Sequence, residues 1–261
     1  MMKKVFCIFP LLLVCAAVPG GEPEESPESA GDRYYGMRGA MKDGVVVSEY
    51  IEKAIDNYSD AIRKEPSDEE LLYKYIKAVD FKYNYLVKDN EEKKDAYLEA
   101  IDMIEDKYEY SEESVYINYS LALLWGRYGQ LIDLFKAARS GIAGKIRKYA
   151  GNVYREDPEF YDGVGALMLG RLHYKTPKIP LILSWPDLGK SEKYLKEVVD
   201  GCPESFLGRF YYADTLYRLG RCDEALEYYR DIADSEPSAE RTLEDSCVKG
   251  ECREILSDIL K

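Results

Sequence analysis

Between Pro203 and Pro237, apolar and small residues return at steps of three and four, the spacing of one helical face, with a break at Leu219-Gly220-Arg221. The run predicts two short antiparallel helices. Tyr212, Ala213 and Leu216 share a face of the first, and Ala225, Tyr229 and Ile232 share a face of the second. Alanines at facing positions allow close approach, and the aromatic rings fill the space on either side. The offsets of Ala225, Tyr229, Ile232 and Pro237 recur as Ser191, Leu195, Val198 and Pro203, and again as Ala54, Tyr58, Ala61 and Pro66. Ala96, Ala100 and Met103 make a looser copy, and Ala122, Trp125 and Gly129 repeat the first-helix offsets of Ala213, Leu216 and Gly220. A frame copied this often marks a repeat array.

Further helix pairs are predicted at roughly 47–86, 91–128 and 130–155, with helix-start signals at Ser67-Asp68-Glu69-Glu70 and Ser111-Glu112-Glu113. Val45-Val46-Val47 is too short to read as a strand, so the expected fold class is all-α. The small residue at Ala213, the turn glycine at Gly220, Asp223-Glu224-Ala225, Tyr229 and the closing Pro237 resemble the tetratricopeptide repeat (TPR). The resemblance implies a TPR-like superhelix of antiparallel helix pairs over 33–261. Its clearest repeats are 158–203 and 204–237, and capping helices occupy 238–261.

The beginning of the chain has another character. Lys3 and Lys4 precede an apolar run from Val5 to Ala17 that is too short to span a bilayer, so 1–20 reads as a secretory signal and 21–32 as a flexible acidic tether. Leu12-Leu13-Val14-Cys15 resembles a lipobox, which makes Cys15 the expected lipidation site; the alternative is cleavage after Ala17 or Gly20. Either exit places the protein in the periplasm or cell envelope. It would meet the membrane only through a lipid anchor. A net charge of −13 is unsuited to nucleic acid.

An oxidising compartment makes Cys202, Cys222, Cys247 and Cys252 candidates for disulfides. Cys202 and Cys222 fall at opposite edges of the layer, whereas a returning helix brings the last two to the edge of Cys222. The expected pair is therefore Cys222 with Cys247 or Cys252. Cys-x4-Cys is a poor zinc spacing, and no metal site is expected.

His173 is the one histidine, and no second catalytic group is supplied beside it. With no phosphate-binding glycine loop and no nucleophile elbow, neither an enzyme nor a cofactor is expected. Binding remains. When helical hairpins stack, the first helices line the concave side. In the repeat at 204–237 that stripe carries Phe210, Asp214, Tyr217 and Arg218. Equivalent stripes carry Tyr116, Tyr119 and Arg127, then Arg171 and Tyr174. Arginine forks among tyrosine rings suit a small, partly apolar organic anion; the same residues would also serve as contacts between adjacent repeats. The run KTPKIPLILSWP, from Lys175 to Pro186, is longer than a plain repeat needs. It reads either as a plug on its own helix pair, or as a lip over a groove or a docking patch for a partner.

Asp157-Pro158-Glu159-Phe160-Tyr161-Asp162-Gly163, followed by Leu169-Gly170, Tyr174, Pro177 and Asp187-Leu188-Gly189-Lys190-Ser191, is similar to the T component of tripartite ATP-independent periplasmic (TRAP) transporters. Val164 and Ser191 stand where that family commonly has glycine and alanine. The resemblance implies an envelope-anchored repeat protein working beside a periplasmic solute-binding subunit, with a central pore or cleft. The other reading is an envelope adaptor that binds a peptide or another envelope protein during assembly.

Overall fold

The computed structural model describes residues 25–179 and 183–259; the expected signal segment and Cys15 lie outside them. The architecture is an all-α array of antiparallel helices. Helices α1 (Pro27–Gly36) and α2 (Ser48–Lys64) flank a small hairpin, β1 (Met41–Lys42) and β2 (Val45–Val46). Then come α3 (Glu69–Phe81), ending in a π-helical turn over Lys82–Leu86, and α4 (Asn90–Lys107). After these follow α5 (Val115–Gln130), the short α6 (Leu134–Arg139) and α7 (Ile142–Glu156). The array continues through α8 (Phe160–Lys175), α9 (Leu188–Gly201), α10 (Phe206–Arg218) and α11 (Cys222–Asp234), and closes with α12 (Thr242–Ile259).

Local chemistry sets most of the helix starts. Ser26, Asp68, Asp89, Ser114, Asp187 and Ser205 each accept a backbone N–H of the first turn through the side chain. Each cap contributes about 0.5–2 kcal/mol. Gly220 (φ 83°) ends α10 in the left-handed region, and the Arg221 N–H returns to the Leu216 carbonyl at 3.0 Å.

Small residues decide which helices pair closely. A Cβ on Gly31 of α1 would lie 2.6 Å from the Tyr58 ring of α2, and one on Gly170 of α8 would lie 2.5 Å from Leu195 of α9. Ala213 and Ala225 take the same places in α10 and α11, with Leu216, Tyr229 and Ile232 buried around them. Ala122 and Ala150 do so in α5 and α7. The close pairs are thus α1/α2, α5/α7, α7/α8, α8/α9 and α10/α11, while α3 and α4 stand further apart with Leu72, Ile76, Tyr97 and Ile101 filling the gap. Full burial of such a side chain contributes about 1.5–3 kcal/mol.

This pairing corrects three expectations. Residues 47–86 are not one pair, because the close partner of α2 is α1. Residues 130–155 are not one either, because α7 pairs with α5 and α6 is a short insertion. The flexible tether over 21–32 also gives way, since Pro27–Gly36 is helical and Ala30 and Gly31 are buried. The Pro/Glu/Ser composition conceals a well-formed helix start: Ser26 caps, Pro27 stands at the first helical position and Glu28 in the first turn. The capping segment at 238–261 is a single helix, α12, over its described residues.

Candidate functional site

Helices α1, α3, α5, α8, α10 and α12 face one another along the inner side of the array. Tyr73 of α3 is the hub of an aromatic cluster, with ring centroids 5.5 Å from Tyr116, 5.2 Å from Tyr119, 5.5 Å from Phe160 and 6.2 Å from Tyr161. Such tilted and edge-on pairs are each worth about 0.5–1.5 kcal/mol beyond burial. Tyr161, Asp162 and Gly163 form three successive left-handed residues, with φ of 45°, 58° and 73°, before regular helix resumes at Val164. For the two residues with side chains this geometry costs about 1–2 kcal/mol each. It turns Tyr161 toward α3 and α5, and lets the Arg241 guanidinium, just ahead of α12, reach Asp162 at 3.2 Å.

The expected arginines are on the inner side but already matched. Arg127 holds Asp80 with Nε at 2.6 Å and Nη2 at 2.9 Å, a bidentate pair between α5 and α3. Arg171 donates to Asp214 at 2.5 Å and lies 3.9 Å from the Tyr211 ring and 4.8 Å from the Tyr174 ring. Asp214 also accepts from the Tyr229 hydroxyl at 2.8 Å. Arg218 donates to the Tyr174 carbonyl at 2.6 Å. Tyr217 is exposed, whereas Phe210 is not on the inner stripe: it is buried in the core, its ring centroid 6.0 Å from Tyr229. The step from Phe210 to Asp214 carries the helix past its core-facing edge, so one stripe serves two surfaces.

Lys77 belongs to none of these stripes. Its ammonium lies 4.5 Å from the Tyr161 ring centre, 4.7 Å from Tyr73 and 5.3 Å from Tyr35, and donates to the Tyr73 hydroxyl at 3.2 Å. Among the described residues no carboxylate pairs with it. Burial, then Arg38 and Lys74, bring its pKa down to about 8. Nothing in the spacing of Lys74 and Lys77 signals enclosure, which α1, hidden in the sequence, and the turn at Tyr161 supply.

Arg38 closes the array. Following α1, it donates to Glu244 of α12 and to the Glu240 carbonyl, while its guanidinium covers the Tyr35 ring at 4.3 Å. Tyr161 then has protein on several sides, enough for burial to raise the pKa of its hydroxyl, yet 40% of it is reached by solvent. The ring is thus packed on one side and wet on the other.

His173 is structural. It is buried, with Nδ1 accepting the Asp187 N–H at 3.1 Å and its ring 5.2 Å from Trp185. Burial, Lys190 and Arg147 lower its pKa, so the imidazole is neutral as an acceptor requires. Ile179 and Leu183 exchange backbone hydrogen bonds of 2.9 and 2.8 Å, and Leu183 is buried. The described ends of the long turn therefore pack back on α8 and α9; Pro180, Leu181 and Ile182 lie outside the described residues. Beside it is a cleft of about 280 Å³ between Tyr174, Thr176, Lys178, Pro186 and Arg218.

All four described cysteines are free, so the pairing expected for Cys222 is not formed. Cys252 turns into the core of α10 and α11 and is fully buried, whereas Cys222 opens α11 on the exposed edge. Cys247 is exposed on another face of α12. Among the described residues, no cluster of three His, Cys, Asp or Glu side chains could hold a metal ion.

The crystal structure of TTC0263, a thermophilic TPR protein of Thermus thermophilus, is similar to this chain with a TM-score of 0.56. The identity is 16%, over 90% of this chain and 97% of that one. The likeness establishes the TPR fold. No protein-family model matches the chain, and neither does any curated protein.

Proposed function

We propose that the protein is a ligand-handling TPR module of the cell envelope, which works beside the solute-binding subunit of a TRAP-type transporter and holds a small, partly apolar anion on its inner side. The observation that supports this most is closure of the array through Arg38 and Glu244 around a wet aromatic surface. An extended peptide needs an open trough with free donors. Here Arg127, Arg171 and Arg218 are each committed to an acceptor within the array. A compact solute fits an enclosed, ring-lined site better. The envelope location and the lipid anchor at Cys15 belong to this reading.

A second reading, an adaptor for another envelope protein, draws on the exposed Tyr217 and Leu219 at the end of α10. Native mass spectrometry of protein purified gently from its host separates the two. A co-purifying organic anion supports solute handling; an empty chain that retains a protein or peptide supports the adaptor and overturns the first reading.

A further inference from the structure

We propose that Lys77 and the phenol groups around it form the binding site for the carboxylate of a small acid with an apolar body. The inference rests on the solute-handling reading and names the residues and the ligand class. Among the described residues, four cations stand in this part of the array, and three are matched. Arg38 is paired with Glu244, Arg241 with Asp162, and Lys74 with Glu28 and Asp32. Lys77 has only the Tyr73 hydroxyl and ring faces around it.

The hydroxyls nearby are in the same condition. Those of Tyr35, Tyr119 and Tyr161 have no hydrogen-bond partner among the described residues, and Tyr119 is only 5% exposed. The four phenols, Tyr73 included, lie within one another's electrostatic reach, each opposing ionisation of its neighbours. An ammonium whose one hydrogen-bond acceptor is the Tyr73 hydroxyl and several phenol groups therefore stand together, and among the described residues no carboxylate pairs with them. Two carboxylate oxygens offer about four lone-pair sites, the complement of that set. The walls beside the donors are the faces and edges of Tyr73, Tyr116, Phe160 and Tyr161, suited to an apolar or aromatic body. Phosphate alone would leave these walls wet, so the carboxylate of an apolar acid is the better match.

The left-handed turn at Tyr161 fits the same picture. Its strain is held by contacts to Tyr73 and Tyr119 and by the Arg241–Asp162 pair, and it keeps the ring over Lys77. Strained residues persist where surrounding contacts fix them, and a ligand site is one such place.

The experiment is a calorimetric titration of the full chain with 4-phenylbutyrate, beside its neutral counterpart 4-phenylbutanol. The wild type is expected to bind the acid and not the alcohol. Lys77→Met should weaken binding by about tenfold to a hundredfold, the worth of one charged hydrogen bond, and Lys77→Arg should retain it. Should Lys77→Met misfold, the wild type gives an independent reading. The acid must shield Lys77 from acetylation by acetic anhydride while the exposed Lys175 continues to react. No binding by the wild type, or equal binding by Lys77→Met and wild type, overturns the site. If the host-purified protein carries an organic anion while phenylbutyrate fails to shield Lys77, the site falls and the solute-handling reading stands. If phenylbutyrate binds at Lys77 but the host protein carries only a protein partner, the site stands and that reading falls.

Discussion

Arg38 donates from Nε and Nη2 to a single Glu244 oxygen, at 2.9 and 2.7 Å, across 206 residues of sequence. The two side chains are only 8% and 18% exposed, so the pair works in a medium that screens it poorly. It ties the first helix to the last and turns an open row of hairpins into a closed array. Gly39, one residue on, lies 3.7 Å from Leu243 at its would-be Cβ, so the contact continues along the backbone.

Cutting this tie should therefore be costly and local in effect. Glu244→Ala leaves a buried guanidinium with only carbonyl partners and is expected to lower unfolding free energy by about 3 kcal/mol. Urea denaturation measures the loss. Hydrogen exchange in α1 should accelerate well beyond that in α10 and α11. Uniform acceleration across the array would contradict a role specific to closure.

Arg171 gives a second prediction, which separates the two roles its place on the stripe leaves open. As a free groove arginine it would be replaceable without loss of stability. In the structure it bridges α8 to α10 through Asp214 and lies between two tyrosine rings. Arg171→Ala should lower stability by about 1–3 kcal/mol, because Asp214 keeps only the Tyr229 hydroxyl as partner. An unchanged melting temperature would show the pair to be a surface contact of no consequence.

What the sequence makes legible follows from what repeats. The frame Ala225, Tyr229, Ile232 and Pro237 recurs because each hairpin solves the same packing problem, and Ser191 and Ala54 do sit at close helix contacts in α9 and α2. The first helix is hidden because its buried residues are two small ones, Ala30 and Gly31, within an acidic run, with Tyr34 and Tyr35 only partly covered. The inner surface is half legible. A stripe names which residues share a helix side, but the partners of Arg127 and Arg171 come from other helices, 47 and 43 residues away. Lys77 is invisible for the same reason: the rings around it come from α1 and α8 as well as from its own helix.

Glycine at position 165 is required by a neighbour's backbone, and glycine at position 126 by nothing nearby. A Cβ on Gly165 would lie 2.7 Å from the Tyr154 nitrogen of α7, an atom that cannot move without moving the helix. Gly165→Ala is expected to cost about 1–3 kcal/mol by overpacking. Gly126, within α5, has no atom within 4 Å of the same point, so Gly126→Ala should stabilise by about 0.5–1 kcal/mol. Paired urea melts test both signs, and equal effects would mean that α7 and α8 are not packed this closely.

Thiol accessibility tests the placement of the C-terminal helices. Cys222 and Cys247 are exposed, whereas burial pushes Cys202 up to about 11 and Cys252 up to about 12; burial raises the Cys247 thiol as well, so it should react more slowly than Cys222. Since the thiolate is the reacting form, iodoacetamide at pH 8 should modify Cys222 and Cys247 in the native chain and leave the other two intact until urea is added. Peptide mapping reads the result directly. A native disulfide at Cys222 would show that α12 sits closer to the start of α11 than it does here.

Lys77 carries a pH dependence of definite sign. Its folded pKa of about 8 lies below that of an unfolded lysine, so between the two values the unfolded chain binds more protons. Stability therefore rises with pH through that window: the penalty for enclosing the ammonium is complete below about pH 8 and is relieved as it deprotonates. Arg38, Lys74 and Arg241 add to the penalty, and Asp32 opposes it. The buried tyrosines titrate higher and act in the other sense, but they are shared by a Lys77→Met variant and drop out of the difference. From pH 7 to about pH 10.5, unfolding free energies of wild type minus Lys77→Met should move in favour of the wild type by about 3 kcal/mol. A flat difference would place the Lys77 ammonium in water rather than among the rings of Tyr35, Tyr73 and Tyr161.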